Sequence, residues 1–574
     1  MVPLTKHLAG YSHQKFANDA TAGLVVGMVT IPQAIAYALL AGVPPEAGLY
    51  ACLLPMILYS VFGSSEHLVV GPVAIAALLI VSTVSEYAPK FSSEYLSITQ
   101  IVCVEVGIIF MMLKILRLGS LTNLISHPVL TGFVNGAVLL IIISQLPIIA
   151  GVDGSSGLSA INSLLVLADK INDFELLSMA LGVGAIVFLI CFRRIIKRRK
   201  VMNSDIASHQ ESQLLIGMGP IILVFASILF VYSLNGATNL KTVGHIPTGL
   251  PSFLIPDVDP QIWLSILPGS FIIALVTYIE SYSIATTLAT KEQKTIDSQQ
   301  ELFALSAANI GAGLTGAYPV AGSFSRSSVN YFSGAKTPVS SLICALVIIG
   351  SLLFFTGFFS LLPLPILGAI VVLSAFGLFD FSVLQQNWRI HKPDKFSELI
   401  TFLGVILVGV EIGLIIGIFL SIAFFLQQAS RPQITQVGRI SGTGVFRSNE
   451  RYEVETSPDL LFVRVDENIF FGNANNIEAK LLALSSRSDF PTHLIIVCSA
   501  VNRIDSTGLQ MLSRLSSRLN ESDSFLHLSD LKGTLLDKLD HGDLHTRISG
   551  DIFDSANECM IQLEKVSDQP NVRD

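Results

Sequence analysis

Apolar runs alternate with short polar connections along the first three quarters of the chain. They fall near residues 20–40, 47–63, 73–86, 96–116, 129–149, 176–192, 212–233, 264–289, 302–316, 324–333, 339–358, 361–379, 397–410 and 412–427. Two of these fourteen segments are too short to cross a bilayer. Residues 73–86 make about 21 Å of helix and 324–333 about 15 Å, against a hydrocarbon core of roughly 30 Å. They hold the third place in each successive set of seven. Each follows an extended, Gly- and Pro-marked stretch, HLVVGPV (67–73) and AYPVAGS (317–323). Broken segments at equivalent positions of two halves predict an inverted repeat with a site between the half-helices. The expected fold is therefore a mostly α polytopic membrane protein of fourteen transmembrane segments, seven plus seven, over residues 1–428.

Beyond residue 428 the pattern changes. Residues 429–458 are polar and rich in Gly and Ser, which reads as a linker. From 459 to 574, strand patterns (Leu460–Val465, Leu494–Ala500, Phe525–Ser529) alternate with helical ones (Asn475–Ser486, Ser506–Asn520, Thr534–Leu539). That alternation predicts a compact α/β domain.

Composition agrees with the membrane reading: 51% of residues are hydrophobic, 14% are charged, and the mean hydropathy is +0.64. The net charge of -8 changes little, because the charges lie in the connections and the C-terminal quarter. With the N-terminus placed in the cytoplasm, the inner connections carry sixteen Lys and Arg and the outer ones three, Lys90, Lys170 and Lys241. This positive-inside bias puts both termini in the cytoplasm. The run RRIIKRRK (193–200) reads as part of that signal, not as a nucleic-acid patch. The N-terminal residues show no short apolar core with a cleavage site, so no removable signal peptide is expected. Six scattered cysteines give no metal spacing and no disulfide framework. No metal and no cofactor are expected.

The chemistry concentrates in AYPVAGSFSRSSVNY (317–331). Arg326 has no acidic residue within ten positions on either side. A charge at membrane depth costs roughly 2.5–3.5 kcal/mol on insertion scales, so it is normally placed for function. Pro319 and Gly322 interrupt any helix, and a new helix is expected to start near Phe324, with Ser325 and Arg326 in its first turn. Val73 and Ala74 open the other half-helix with bland side chains, leaving their backbone N–H groups to bind. Two helix N-termini and a cation make an anion site. The competing reading pairs Arg326 permanently with a carboxylate, Glu280 being the candidate. Glu280, in TYIESYSIATT (277–287), shares a helix face with Thr277, Ile284 and Thr287. A carboxylate among apolar side chains resists ionisation and a neighbouring cation favours it; balanced, the two make a usable proton carrier. Gln33 and Tyr37 lie one turn apart on the first segment, beside Pro32, and Gln33 could equally bond carbonyls freed by that proline. Glu105 is a further intramembrane acid without an assigned role.

PPEAGLYACLLPMILYSVFGSS (44–65), SHPVLTGFVNGA (126–137) and GSFSRSSVNY (322–331) together resemble the sulfate permease (SulP) family of anion transporters, which end in a STAS domain. The resemblance spans nearly the whole chain. It implies a mobile core domain moving its half-helices against a gate domain, and a pocket built from segments one, three, eight and ten. It also implies that Gln33 donates to the anion, that Tyr37 forms a wall and that an acid on the eighth segment, here Glu280, is the coupling site. Glu411, in GVEIG, matches the family pattern at the last turn and reads as structural. Glu105 departs from the family, where a small or uncharged residue is commoner. DSTGL (505–509) resembles the STAS loop in which a serine, here Ser506, is phosphorylated; a hydroxyl at a strand-to-helix junction is also an ordinary N-cap. A homodimer in the plasma membrane, bacterial inner membrane included, is expected.

Charge counting ranks substrates. Two half-helix ends at about +0.5 each plus Arg326 give roughly +2, enough to face a divalent anion. An ionised Glu280 would leave the loaded site at about -1, and one proton restores neutrality. The expected function is proton-coupled uptake of a small inorganic oxyanion, sulfate first. The alternatives are a bicarbonate or C4-dicarboxylate symporter, an anion exchanger, a passive anion channel and a receptor signalling through its tail. No hydrolytic or redox constellation points to an enzyme.

Overall fold

The structure is a computed structural model. It describes every residue except 1–2, 9, 120–125, 153–159, 203–205, 235–239, 254–255, 257–258, 380–391, 486–490, 534, 538–547 and 568–574. The chain divides into two compact units, Met1–Ser421 and Ile422–Asp574.

The first unit is helical. Its elements are α1 (Pro3–Leu8), α2 (His13–Ala41), α3 (Pro45–Tyr50), α4 (Leu54–Phe62), β1 (Val70–Gly71), α5 (Ala74–Val84), α6 (Ser93–Ile115) and α7 (His127–Ala150). Then come α8 (Ala160–Asp169), α9 (Leu176–Met202), α10 (Ile206–Ser233), α11 (Pro260–Lys291), α12 (Ser298–Leu314), β2 (Ala321–Gly322) and α13 (Phe324–Phe332). The set closes with α14 (Val339–Phe354), α15 (Thr356–Phe359), α16 (Leu364–Phe376), α17 (Lys392–Leu407) and α18 (Val410–Ser430), the last running on into the second unit. Every expected apolar segment falls on helix, and the second is split at Ala51–Leu53 into α3 and α4. Among the described residues, seven helical stretches are long and apolar enough to cross a membrane. Starts and stops follow local chemistry. Ser12, Ser92, Asp259 and Asp297 cap α2, α6, α11 and α12 with side-chain oxygens.

Two bundles emerge from the packing. In one, α2 packs on α14, and α6 packs on α11 and α12; in the other, α7, α9, α10, α16 and α17 pack together. The contact of α2 with α14 is close because Gly23 and Gly27 present no side chain. A Cβ on Gly23 would lie 2.5 Å from the Ser340 carbonyl and one on Gly27 2.8 Å from Val347 Cβ. Small residues four apart let helices approach where no hydrophobic drive separates lipid from protein.

Buried carboxylates hold the first bundle together at element ends. Asp19 accepts bonds from Tyr11 Oη, Thr337 Oγ1 and the backbone N–H groups of Lys336 and Thr337. Glu301 accepts from Tyr59 Oη and from both N–H and Oγ of Ser64, each at 2.8 Å. Outside this set, half-buried Glu411 in the first turn of α18 accepts a 2.7 Å bond from Thr83 Oγ1 at the end of α5.

The second unit carries a six-stranded sheet in the order β4-β3-β5-β6-β7-β8, made of β3 (Ile434–Arg439), β4 (Phe446–Ser448), β5 (Leu460–Val465), β6 (His493–Val497), β7 (Phe525–Ser529) and β8 (Ile552–Phe553). β5 through β8 are parallel, and β3 runs antiparallel to both β4 and β5. Its helices are α19 (Ala474–Ser485), α20 (Ser506–Asn520) and α21 (Ala556–Ser567). Leu494 and Ile496 point to one apolar core, with Met511 and Leu515 of α20; Ile495 and Val497 point to the other, with Met560 and Leu563 of α21. The expected α/β alternation is present, with one correction. Residues 434–439 and 446–448, placed in the linker by their polar composition, join the sheet: β3 pairs with β5, and β4 pairs with β3 as the edge strand. Backbone pairing tolerates such sequences where one face is solvated. The expected helix Thr534–Leu539 lies partly outside the described residues.

Candidate functional site

The two extended stretches meet. β1 and β2 form an antiparallel pair, Val70 opposite Gly322 and Gly71 opposite Ala321. Non-helical backbone at membrane depth persists only where protein satisfies it, and here nearly every group has a named partner. The Val69 N–H donates to Ser327 Oγ and the Ser323 N–H to the Val69 carbonyl. The Gly322 N–H donates to Ser281 Oγ, and Asn309 both donates to the Val320 carbonyl and accepts from its N–H. The Asn330 amide donates to the His67 carbonyl.

Arg326 completes the set. It is fully buried, and its Nη2 donates to the Pro72 carbonyl at 2.7 Å, while Nε and Nη1 have no partner. That carbonyl immediately precedes Val73, the N-cap of α5, so the guanidinium lies beside the start of one half-helix while belonging to the first turn of the other. Neither N-cap, Val73 nor Ser323, makes a side-chain capping bond. The free N–H groups of both first turns therefore lack an internal acceptor. Gly71 makes room for the arginine, since a Cβ there would stand 3.3 Å from Nη1 and 3.4 Å from Nη2.

No hydrogen bond or ion pair joins Arg326 to Glu280. Glu280 is partly buried on α11, Oε2 lacks a partner, and the two charges are near enough to interact. The permanent salt bridge offered as an alternative is thus not formed, because the guanidinium is turned to the Pro72 carbonyl instead.

Gln33 and Ser325 line one cavity of about 230 Å³ together with Ser328, Ser374 and Arg193. The Gln33 Oε1 is buried without a partner, and no hydrogen bond runs from the Gln33 amide nitrogen to a carbonyl freed by Pro32 among the described residues. Tyr37, one turn on, is buried beside Ser374. Val73 and Ala74 are buried behind the site, Val73 packing with Ala76 and Ala321. Glu105 sits apart from this group, buried beside Ser270 of α11.

Several contributors escaped the sequence reading. Asn309, Ser281 and Gly71 carry no charge and act on backbone far along the chain. Glu66, His67 and Glu292 also converge, but the Lys294 ammonium already bridges Glu66 and Glu292 at 2.5 and 2.9 Å. In the second unit the cap of α20 is Asp505, not Ser506: its Oδ1 accepts the Gly508 N–H and its Oδ2 the Phe471 N–H, both at 2.8 Å. The carboxylate one residue earlier, with two acceptor oxygens, takes the cap position, which leaves Ser506 exposed at the first helical residue.

Sequence comparison matches the sulfate permease family over residues 16–401. The chain belongs to that family. A STAS domain is matched over residues 451–559. A probable sulfate transporter 4.2 of Arabidopsis thaliana is 35% identical over 88% of this chain and 74% of its own length. High affinity sulfate transporter 2 of Stylosanthes hamata is 30% identical over 94% and 83%. The murine Solute Carrier 26 family member A9 anion transporter, in its inward-facing state, superposes with a TM-score of 0.87 at 21% identity, over 98% of this chain and 94% of that one. The transmembrane domain of a cyanobacterium bicarbonate transporter, BicA, gives 0.59 at 18% identity, over 71% and 98%. These two establish the fold. Family membership makes the protein a multi-pass membrane transporter of anions and not an enzyme.

Proposed function

We propose that this transporter carries sulfate and couples its uptake to a proton. The observation that carries the reading is the buried guanidinium of Arg326, with Nε and Nη1 unpartnered at the joint start of two uncapped half-helices. This concentration of positive charge favours a divalent over a monovalent anion. Gln33 and Ser325 would hold the anion from the cavity side, Tyr37 would wall it, and the N–H groups following Val73, with those of Ala74 and its neighbours, would complete the shell. Glu280, near Arg326 without pairing to it, is the group we assign to the proton. The sulfate transporters named among the relatives support the choice of anion. We place the protein in the plasma membrane as a homodimer with both termini cytoplasmic, in line with the basic inner connections.

The test is uptake of labelled sulfate into proteoliposomes with and without an inward proton gradient. Accumulation above equilibrium only with the gradient is expected. Gradient-independent equilibration would refute coupling and favour a channel. Competition by bicarbonate or C4-dicarboxylate, with sulfate inert, would refute the anion.

A further inference from the structure

Arg193 was accounted for above only as part of a basic run that orients the protein, yet its position is more specific. Among the described residues it is the sole charged one lining the cavity that holds Gln33 and Ser325. It reaches that cavity on one face of α9, with Leu189 one turn before it. Opposite stands a face of α13 bearing Ser325, Ser328, Val329 and Phe332, the helical i, i+3, i+4, i+7 set. Leu373 and Leu378 of the α16 end close the wall. No carboxylate lines the space among the described residues. Arg193 is exposed and makes no hydrogen bond or ion pair among the described residues.

We propose that Arg193 is a second anion-recognising residue, which draws sulfate between the bulk solution and the Gln33–Ser325 site on the side where this cavity opens. The proposal rests on the sulfate reading above and deepens it. An anion in a cavity walled by leucine, phenylalanine and proline meets a low-dielectric lining. A single cation there focuses the field and raises local anion concentration. Ser325 and Ser328 line the same cavity and supply hydroxyl donors on α13, so an anion drawn by Arg193 meets polar groups at the half-helix that starts at Phe324. Arg193 stands on α9, which packs with α7, α10 and α16, whereas α13 packs most extensively with α2 and less so with α10. A movement of one bundle against the other that closes this cavity removes Arg193 from the anion. Its contribution therefore belongs to one face of the membrane only.

The experiment measures KM for labelled sulfate separately at the two faces of full-length protein in proteoliposomes. Arg193→Gln should raise KM at the cavity face about tenfold, the low end of what field focusing by a charged cleft supplies, and leave the other face unchanged. Arg193→Lys should stay near wild type. Arg194→Gln removes the same charge from the orientation signal but from a residue that does not line the cavity, and should change neither face. Equal shifts at both faces, or a matching shift in Arg194→Gln, overturn the proposal. If Arg193→Gln fails to accumulate, wild-type KM decides: it should rise with ionic strength at the cavity face alone, and salt-insensitivity there refutes the proposal. Wild-type protein that moves chloride or bicarbonate but not sulfate refutes the sulfate reading only. The same two-face measurement with that anion then decides on Arg193.

Discussion

Replacing Arg326 by methionine should separate stability from transport, because the structure assigns the arginine opposite effects on the two. Methionine fills most of the same volume without the charge. On the stability side, the variant loses one charge-assisted bond to the Pro72 carbonyl and leaves that oxygen unpaired, a cost of about 1–3 kcal/mol. It also removes a fully buried cation with no carboxylate against it, which relieves several kcal/mol of desolvation. The expected change runs from nothing to a gain of about 3 kcal/mol, so the melting temperature should hold or rise. On the binding side, Nε and Nη1 are the free donors. Two charge-assisted bonds to an anion at about 1.5–3 kcal/mol each predict a loss of roughly 10²–10⁴-fold in sulfate affinity. Thermal melts of the purified protein with and without sulfate read both quantities. Sulfate should raise the wild-type melting temperature through ligand linkage and leave the variant unmoved, and uptake should vanish with it. A variant that melts far below wild type would show that the arginine is a structural strut. A variant that keeps its sulfate-dependent shift would remove Arg326 from the site.

Glu280→Gln, which mimics the protonated acid but releases nothing, should abolish proton-driven net uptake while retaining exchange of labelled for unlabelled sulfate; uptake that still follows the proton gradient would send the proton elsewhere, with Glu105 the next residue to test. Asp505→Ala removes both bonds that hold the start of α20 and should cost about 1–2 kcal/mol of stability in the second unit, whereas Ser506→Ala, at an exposed first-turn hydroxyl, should be thermally silent; equal losses would return the cap to Ser506. His527 accepts the Asp551 N–H at Nδ1 and so donates from Nε2 to His493 Nδ1, 3.0 Å away. Burial, with His493 adjacent, pushes its imidazole down to about 4. The unfolded chain binds a proton near pH 6.5 that the folded chain refuses, so stability of this unit should fall as pH drops from about 6.5 to about 4, by up to about 3 kcal/mol. Hydrogen exchange at β6 and β7 in the full-length protein should track that loss, and His527→Gln should flatten it.

Long-range pairing divides what was legible in the sequence from what was not. The broken segments announce themselves locally, through Pro72, Pro319 and their flanking glycines, and Arg326 stands out because few charges survive at membrane depth. The partners that make those breaks tolerable do not. Ser281 and Asn309 are ordinary small polar residues on long helices, and only the meeting of β1 with β2 shows which amide each one serves. Asp19 and Glu301 lie at segment ends, where acids are common and normally solvated, so their burial had no local mark. β3 and β4 carry too little local pattern to stand out from a linker: β4 is a three-residue edge strand, and β3 is fixed by its pairing with β4 and β5. The Glu280–Arg326 pairing was left open by the sequence and settled against by geometry, since a backbone carbonyl competed for the guanidinium.

The pairing of Val70–Gly71 with Ala321–Gly322 also bears on how the protein is made. Some 250 residues of chain separate the two strands. At about 5–20 residues per second, a ribosome takes roughly 10–50 s to deliver the second after the first. Throughout that interval the nascent first half holds an open strand edge, and unmet backbone groups in lipid cost several kcal/mol each. The first seven segments therefore cannot settle alone. They must wait beside the insertion machinery, or under a chaperone, until the tenth arrives. Mutations in β2 should then lower the yield of inserted protein more than mutations of equal size in α18, which the chain reaches only after the two halves have closed on each other.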